Sequence, residues 1–368
     1  MFNEIYKGKK VLVTGATGFK GSWLCLWLNQ LGAEVYGIAN GIPTQPSMFE
    51  DMELHQQISY SETDVRNPDE LHRTIDKIRP DFIFHLAAQA VTSIAFEQPL
   101  ETLQTNIMGT ANLLDYFRVQ PYPCTLIIIT SDKCYENNEW IWSYREEDRL
   151  GGKDPYSVSK ASAEFVIRTY FHCYFNAEDF LVRIASTRAG NVIGGGDWTR
   201  DRILPDTFKA WIHNKPLEMR HPNAVRPWQF VLEPLSGYLL LGQLLSEGKI
   251  ASGEAYNFGP ANTKAYTVEE IIRMAAACWD RDTAIYRKAT DDRKNFNEST
   301  LLKISSEKAN QQLDWHPVYD VAEAVTETAL WYKNYQSKQT SLQLYSQQQI
   351  ASYTRKAKEK KVSWAGNY

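Results

Sequence analysis

Tyr156 and Lys160 stand four residues apart in Tyr-Ser-Val-Ser-Lys, at the head of a stretch from Tyr156 to Phe175 that reads as a helix. Residues at i and i+4 share a helical face. An ammonium so placed can lower the phenol's pKa and make it a usable base. Upstream, Ser131-Asp132-Lys133-Cys134-Tyr135 sets a hydroxyl, a carboxyl and an amine in succession behind the apolar run Thr125 to Thr130. A Tyr-x-x-x-Lys pair by itself is an ordinary helix-surface pair worth a few tenths of a kcal/mol. Its neighbours in the chain decide whether it does chemistry.

Those neighbours describe a nucleotide-binding scaffold. Lys10 to Thr14 is a short β-branched run, followed by Gly-Ala-Thr-Gly-Phe-Lys-Gly and then by Trp23, Leu24, Trp27, Leu28 and Leu31 at helical spacing. That is strand, glycine turn, helix. Gly15, Gly18 and Gly21 let the backbone turn tightly and approach a pyrophosphate seated on the helix N-terminus. A second strand, Glu34 to Ala39, follows, and the alternation continues: helix Pro68 to Arg79, strand Asp81 to Ala87, helix Leu100 to Arg118, strand Thr125 to Thr130. Strands separated by helices mean a parallel, doubly wound sheet, with Ser131-Asp132-Lys133 at its carboxyl edge, where such folds bind ligands. Asp64, after the strand candidate Ile58 to Thr63, has two readings, an adenine amino partner or a loop cap. The acid expected about 20 residues after the first glycine is absent, because the second strand ends Ala39-Asn40. NAD is expected over NADP because that loop holds no arginine. Beyond about Gly190 the rhythm loosens into glycine- and aromatic-rich loops with helices near Leu204 to Asn214 and Thr267 to Trp279, which reads as a smaller substrate domain over the sheet edge.

Composition narrows the partners. A chain of 368 residues suggests two domains, and 40 basic against 44 acidic side chains leave a net charge of −4, too weak a field to recruit nucleic acid or an anionic membrane. A phosphate ligand must be held locally. No window approaches the ~20 apolar residues of a membrane span, and Met1 to Lys10 is polar, so a cytoplasmic address is expected. Cys25, Cys124, Cys134, Cys173 and Cys278 have no spacing suited to zinc or a redox couple, so they read as packing residues and no metal is expected, with Cys134 alone placed near the chemistry. The basic run Arg355 to Lys361 reads as a solvated helix end.

The glycine turn with Tyr156 and Lys160 resembles the extended short-chain dehydrogenase/reductase family, which includes nucleotide-sugar epimerases and dehydratases. The finer resemblance is to CDP-glucose 4,6-dehydratases, carried by GFKGSWL, HLAAQ, TNIMGT, TSDKCYEN, DPYS.SK, RAGNVIGGGDW, RPWQ.VLEPLSGYLLL and NFGP, from Gly18 to Pro260, with a looser echo at Leu313 to Pro317. Sister dehydratases of dTDP-sugars carry Thr-Asp-Glu where this chain has Ser131-Asp132-Lys133. The resemblance implies a Rossmann domain over 1–190 that also draws in about 231–258, a nucleotide-sugar domain over 191–230 and 259–340, and a C-terminal tail, 341–368. It implies NAD held by Gly15, Thr17, Gly18, Phe19, Lys20, Asp64, Val65 and Ala87 together with Tyr156 and Lys160, and a nucleotide diphosphate near Asn191, Arg226 and Asn257. Arg226 also has the reading of a structural ion pair, and Gly194 to Gly196 that of a plain turn.

The implied reaction is redox-neutral dehydration of CDP-glucose, the first step toward deoxysugars of surface polysaccharides such as lipopolysaccharide. Tyr156, held by Lys160, takes the 4-hydroxyl proton, Ser131 bonds the same oxygen, Lys133 removes the C5 proton and Asp132 protonates the departing 6-hydroxyl. A homodimer or higher homo-oligomer is implied through the helices Asn106 to Arg118 and Ser157 to Tyr174. The chain departs from the pattern at Ala16, at Val91-Thr92-Ser93, at Asn223 and Phe230, and over Lys294 to Thr300. Two rivals stay open: an epimerase or dehydratase of another nucleotide sugar, and a non-catalytic dinucleotide-sensing protein.

Overall fold

The computed structural model describes residues 1–177, 180–219, 222–260, 266–279, 286–288 and 301–366; the departure over Lys294 to Thr300 lies outside them. In chain order the first elements are β1 (Lys10–Thr14), α1 (Phe19–Gln30), β2 (Glu34–Ala39), α2 (Met48–Asp51), β3 (Ser59–Glu62), α3 (Pro68–Ile78), β4 (Phe82–His85), α4 (Thr92–Glu97), α5 (Pro99–Leu103), α6 (Gly109–Val119), β5 (Cys124–Ile129), α7 (Pro155–Tyr170) and β6 (Val182–Ala189). Then come β7 (Val192–Ile193), α8 (Ile203–Ile212), β8 (Leu217–Met219), β9 (Val225–Arg226), β10 (Gln229–Phe230), α9 (Leu232–Ser246), β11 (Ala255–Phe258), β12 (Tyr266–Thr267), α10 (Val268–Cys278), β13 (Tyr286–Lys288), α11 (Glu307–Leu313), α12 (Val321–Ser337) and α13 (Leu342–Glu359).

Seven strands form one parallel sheet in the order β11-β6-β5-β4-β1-β2-β3. The winding runs one way from β1 through β2 to β3 and the other way from β4 outward, so the crevice at the carboxyl ends of β1 and β4 is the switch point where such sheets bind ligands. Alternation along β1 feeds both faces: Val11 and Val13 enter one apolar cluster and Leu12 the other. Helix α1 is buried nearly all round, from Trp23 to Leu28, because the sheet covers one side and C-terminal helices the other. β11 pairs with β6, so the chain returns to the sheet after its excursion through β7 to β10.

Two helices differ from the sequence reading in the same way. The helix expected over Leu100 to Arg118 is α5 and α6 joined by a π turn, Gln104–Met108, and the one from Tyr156 ends at Tyr170 before a π turn, Phe171–Phe175. At the first, Asn106 is pulled inward: its amide oxygen accepts from Gln89 N at 2.8 Å and its nitrogen reaches Ser159 Oγ at 2.8 Å. A widened turn makes room for that inward side chain. The start of α7 follows local chemistry, since the Asp154 carboxylate accepts from Ser157 N at 2.9 Å and Pro155 needs no donor in the first turn.

The expected tail is not a tail. Residues 342–359 form α13, whose Ile350, Tyr353 and Ala357 are buried, and Trp364 beyond it stacks on Phe2 at 5.1 Å and on Tyr353 at 5.8 Å. Glu233 of α9 clamps this layer: its carboxyl accepts from Val318 N (2.9 Å), Tyr319 N (2.7 Å) and Tyr353 Oη (2.8 Å), while burial pushes its pKa up to about 7. The basic run is the end of α13, with Lys356 paired to Glu323. Among the described residues no helix is long and apolar enough to cross a membrane, and no group of three His, Cys, Asp or Glu could hold a metal ion.

Candidate active site

The glycine turn closes on itself at the switch point. Gly15 has φ +71°, and a Cβ there would meet Ala87 N at 2.8 Å; one on Gly21 would lie 2.1 Å from Gly15 O. Gly18 caps α1 without a side-chain hydrogen bond, so the first N–H groups of the helix face the crevice with the positive end of the helix dipole. This arrangement suits a dinucleotide pyrophosphate. Thr17 ties the turn to the next loop through Gly41 O at 2.8 Å, and Ala87 N donates to Thr14 Oγ1 at 3.1 Å. Val65 is buried against Gly109, where an added Cβ would come within 2.7 Å of its Cγ2.

Asp64 caps its own loop, its Oδ1 accepting from Arg66 N at 2.9 Å, as one of its two readings expected. Its carboxylate is forked by Arg66, with Nη2 at 2.7 Å and Nε at 2.9 Å, and Asn40 Nδ2 reaches it at 3.3 Å. Arg66 also pairs with Glu101 at 3.1 Å. A guanidinium therefore stands beside Asn40 after all. It comes from the following loop, which the strand-end pattern around Ala39 could not register.

At the carboxyl end of β5, Ser131 caps a tight turn over Asp132–Cys134. Its Oγ accepts from Lys133 N at 3.2 Å and donates to Asp132 Oδ1 at 3.0 Å. Asp132 is 3% exposed, and its Oδ2 has no hydrogen-bond partner among the described residues. Burial raises its pKa; the charges of Lys133 and Lys20 and the Ser131 bond oppose that rise. Cys134 is a packing residue beside Tyr135 and Tyr144, and burial pushes its thiol up.

Tyr156 and Lys160 are both buried on α7. Burial pushes the phenol up to about 12, opposed by the Ser131 hydroxyl and the Arg202 guanidinium, with Asp132 adding to the rise. Burial also pulls Lys160 down to about 8, with Cys134 and Glu164 opposing. Desolvation is the largest influence on both groups, and the Arg202 guanidinium also favours the ionised phenol. Arg202 is held by Asp197 at 2.9 Å.

Below this pair lies an ion pair that the sequence reading missed. Glu164, one helical turn past Lys160, accepts from Thr130 Oγ1 at 2.5 Å, Ser186 Oγ at 3.0 Å and Arg188 Nη2 at 2.8 Å, and Arg188 is also bonded to Tyr135 Oη at 2.8 Å. It pins the end of β5 to α7. The i+4 spacing from Lys160 was the available signal. Lys20, expected among the NAD-holding residues, is partly buried beside the same group of side chains. Its ammonium reaches Tyr238 Oη at 3.4 Å, and burial with Arg202 and Lys160 nearby pulls it down to about 7, with the Asp132 charge opposing.

The three expected substrate residues differ in exposure and in hydrogen-bond partners. Arg226 lies on β9, partly exposed, and bonds Val225 O at 3.0 Å; Asn191 is partly exposed and its carbonyl accepts from Gln229 N at 3.2 Å. Asn257 is fully buried in β11, its amide spent on Tyr135 Oη (2.8 Å) and Tyr144 O (3.1 Å), so it supports the wall and does not reach the crevice. Gly195 and Gly196 are steric requirements of the turn: added Cβ atoms would run into Trp331 and Met48. Of the departures, Ala16 is buried against Gly37, Ser93 Oγ donates to Asp201 Oδ2 at 2.8 Å, Asn223 is exposed, and Phe230 is a core residue against Trp23, Tyr319 and Tyr353.

Comparison with known proteins matches residues 12–328 to the family described as GDP-mannose 4,6 dehydratase. A CDP-glucose 4,6-dehydratase of Salmonella typhimurium is 41% identical over 353 residues, covering 95% of this chain and 97% of that protein. A dTDP-glucose 4,6-dehydratase of the same organism is 22% identical, covering 88% and 92%. Among solved structures, dTDP-glucose 4,6-dehydratase from Bacillus anthracis in complex with NAD superposes with TM-score 0.73 at 23% identity, covering 89% of this chain and 97% of that one. UDP-glucuronic acid 4-epimerase from Bacillus cereus, in complex with UDP-glucuronic acid and NAD, gives 0.74 at 23% identity, covering 89% and 99%. With one family matched from β1 into α12 and a 41% relative spanning nearly the whole chain, this protein belongs to the GDP-mannose 4,6 dehydratase family.

Proposed function

We propose that this enzyme dehydrates CDP-glucose to CDP-4-dehydro-6-deoxyglucose on the way to a surface polysaccharide such as lipopolysaccharide, and works in the cytoplasm with NAD as its resident cofactor. The observation that carries this reading is the buried Asp132 carboxyl, hydrogen-bonded to Ser131 and within electrostatic reach of Tyr156. An epimerase needs only the Tyr156 and Lys160 pair; an acid and an amine beside it serve an elimination. The 41% relative supplies the base and sugar of the substrate.

NAD, cradled by Gly15, Gly18 and the bare start of α1, would supply a hydride acceptor at C4 that gives the hydride back at C6. The rest falls to the side chains. Tyr156 takes the 4-hydroxyl proton as phenolate, with Ser131 and Arg202 favouring its charge and Lys160 beside it. The resulting ketone acidifies the C5 hydrogen, which Lys133 removes. Asp132 protonates the 6-hydroxyl, which leaves as water, and Lys133 returns its proton to C5. Arg226 and Asn191 hold the diphosphate side, the guanidinium by its fork. NAD is favoured over NADP because the guanidinium of Arg66 is already claimed by Asp64 and Glu101.

The test is a panel of CDP-, UDP-, dTDP- and GDP-glucose carrying deuterium at C4. With CDP-glucose we expect a 6-deoxy product with the label at C6 of the same molecule, and solvent hydrogen at C5. Label lost to solvent overturns the intramolecular return. A product that keeps its 6-hydroxyl and is inverted at C4 makes the enzyme an epimerase.

A homodimer completes the proposal. Leu100, Met108, Val158, Phe165 and Tyr174 are exposed apolar side chains on α5, α7 and the π turns that follow each. Asn106, named with this seam from sequence, is interior to the subunit. Phe165→Glu is expected to shift the mass measured by light scattering from dimer to monomer. An unchanged mass places the seam elsewhere.

A further inference from the structure

We infer that Glu164 and Arg188 are positioning residues: their buried ion pair grips both ends of the turn that carries Ser131, Asp132 and Lys133 and holds that turn in register with Tyr156 on α7. The inference rests on the dehydration proposed above and deepens it, because two groups of side chains on different elements must meet one sugar. Tyr156 and Lys160 ride on α7, whereas Asp132 and Lys133 ride on the turn after β5. Oxidation at C4 asks for the first group. Elimination across C5 and C6 asks for both at a fixed separation, since Asp132 and Lys133 must reach C6 and C5 of a sugar whose O4 is held at Tyr156. Whatever fixes the turn against α7 therefore governs elimination more than oxidation.

Each end of the turn is tied to a different member of the pair. Thr130, just before Ser131, donates through Oγ1 to Glu164 at 2.5 Å, and its N–H donates to Thr187 O at 2.8 Å. Tyr135, just after Cys134, accepts at Oη from Arg188 Nη1 at 2.8 Å and donates to Asn257 Oδ1 at 2.8 Å. Arg188 Nη2 closes the bridge on Glu164 at 2.8 Å, and Nη1 also donates to Glu146 O at 2.8 Å. Glu164 stands on α7 and Arg188 on β6, so one bridge ties the turn to helix and sheet together. Between its anchors the turn is stiff: Cys134 N donates to Ser131 O at 3.1 Å and Lys133 N to Ser131 Oγ at 3.2 Å. Moving either anchor moves Asp132 and Lys133 with it.

The pair serves geometry more than stability. Glu164 is 1% exposed and Arg188 2%, and charges that deep give up hydration that their attraction does little more than repay, so a well-packed apolar pair would hold the core as well. What apolar side chains cannot do is fix a hydroxyl at a set distance and direction. Burial acts to raise the Glu164 carboxyl, but Arg188, Thr130 and Ser186 hold it below the usual range. It is therefore ionised and accepts only, which makes Thr130 the donor. The guanidinium divides its two Nη groups between Glu164 and Tyr135, a split set by the rigid fork. Ser186 differs from the anchors: its Oγ donates to the same carboxylate at 3.0 Å, yet it lies on β6, outside the turn.

Removing Glu164 or Arg188 outright leaves the other charge buried and unpaired, which is itself strongly destabilising, so the test removes single hydrogen bonds instead. Tyr135→Phe releases one end of the turn and keeps the ring stacked on Tyr144 at 5.2 Å; Thr130→Val releases the other end and keeps the β-branched shape; Ser186→Ala takes one bond from the same carboxylate without touching the turn. Each NAD-loaded variant is mixed with CDP-glucose for a single turnover and quenched with borodeuteride. In Tyr135→Phe and Thr130→Val we expect elimination to slow roughly 10- to 10²-fold, the cost of a misplacement near 1 Å, so that C4-deuterated hexose rises against 6-deoxyhexose while NAD binding is unchanged. Ser186→Ala should divide its products as wild type does, whatever it loses in thermal stability. A wild-type ratio in Tyr135→Phe or in Thr130→Val overturns the anchoring. The same shift in Ser186→Ala overturns it too, because the effect then comes from a loosened core. Failure of wild type to make a 6-deoxysugar from any nucleotide-glucose overturns the dehydration itself, and the positioning role falls with it.

Discussion

Tyr156→Phe should fold, bind NAD as wild type does, and form product at least ~10²-fold more slowly, because only the group that takes the O4 proton has been removed. The fold is expected to survive because the ring keeps its packing on α7, and the helix start depends on Asp154 and Pro155, not on the phenol. The pH profile makes the assignment specific. Burial holds the phenol up to about 12 while Ser131 and Arg202 favour its ionised form, so the fraction of phenolate, and with it wild-type kcat/KM, should rise as pH rises from the acid side. That rise should vanish in Tyr156→Phe, leaving a low, flat profile. If the variant turns over normally, or keeps the wild-type pH limb, another group takes the proton. A merely structural role would lower stability and leave the limb in place.

How much of this could be read from the chain follows the distance over which each feature is determined. The alternation of β-branched runs with helical spacing, the glycines at Gly15, Gly18 and Gly21, and the Asp154-Pro155 start of α7 are local, and they place the sheet edge and its turn. The adjacency of Ser131, Asp132 and Lys133 is covalent and needs no fold to establish it. What escaped is set by contacts between distant segments. Asn106 widens its helix because Gln89 and Ser159 reach it. Asp64 is occupied by Arg66 and Asn40, and Phe230 is enclosed by Trp23, Tyr319 and Tyr353. The C-terminal residues are polar enough to pass for a tail, yet Tyr353 and Trp364 bury against the N-terminal Phe2 and Trp27. Lys20 shows the same limit in a single side chain: the resemblance names it among the NAD-holding residues, and only the fold reveals Tyr238 within reach of its ammonium.

Asp132→Asn and Lys133→Met should separate oxidation from elimination, with loss of 6-deoxy product of order 10² to 10⁴-fold in each while C4 is still oxidised. The carboxyl is asked only to protonate the 6-hydroxyl, and the amine only to move the C5 proton; neither takes the proton from O4. Asparagine keeps the shape of Asp132 and can still accept from Ser131 Oγ, so the turn capped by Ser131 should hold. What it lacks is an acid. Quenching a single turnover with borodeuteride should therefore recover hexose carrying deuterium at C4 from the trapped ketone, and little 6-deoxyhexose. In heavy water the two variants should part company. Asp132→Asn retains the amine and should exchange hydrogen at C5 of the trapped ketone, whereas Lys133→Met should show oxidation without C5 exchange. If Lys133→Met exchanges C5 at the wild-type rate, Lys133 is a binding residue and the C5 base is another amine of this cavity, of which Lys20, already drawn down to about 7 beside Asp132, is the one to replace next. If neither variant yields deuterium at C4, oxidation depends on the same pair, and the division of labour between Tyr156 on α7 and the turn after β5 is wrong.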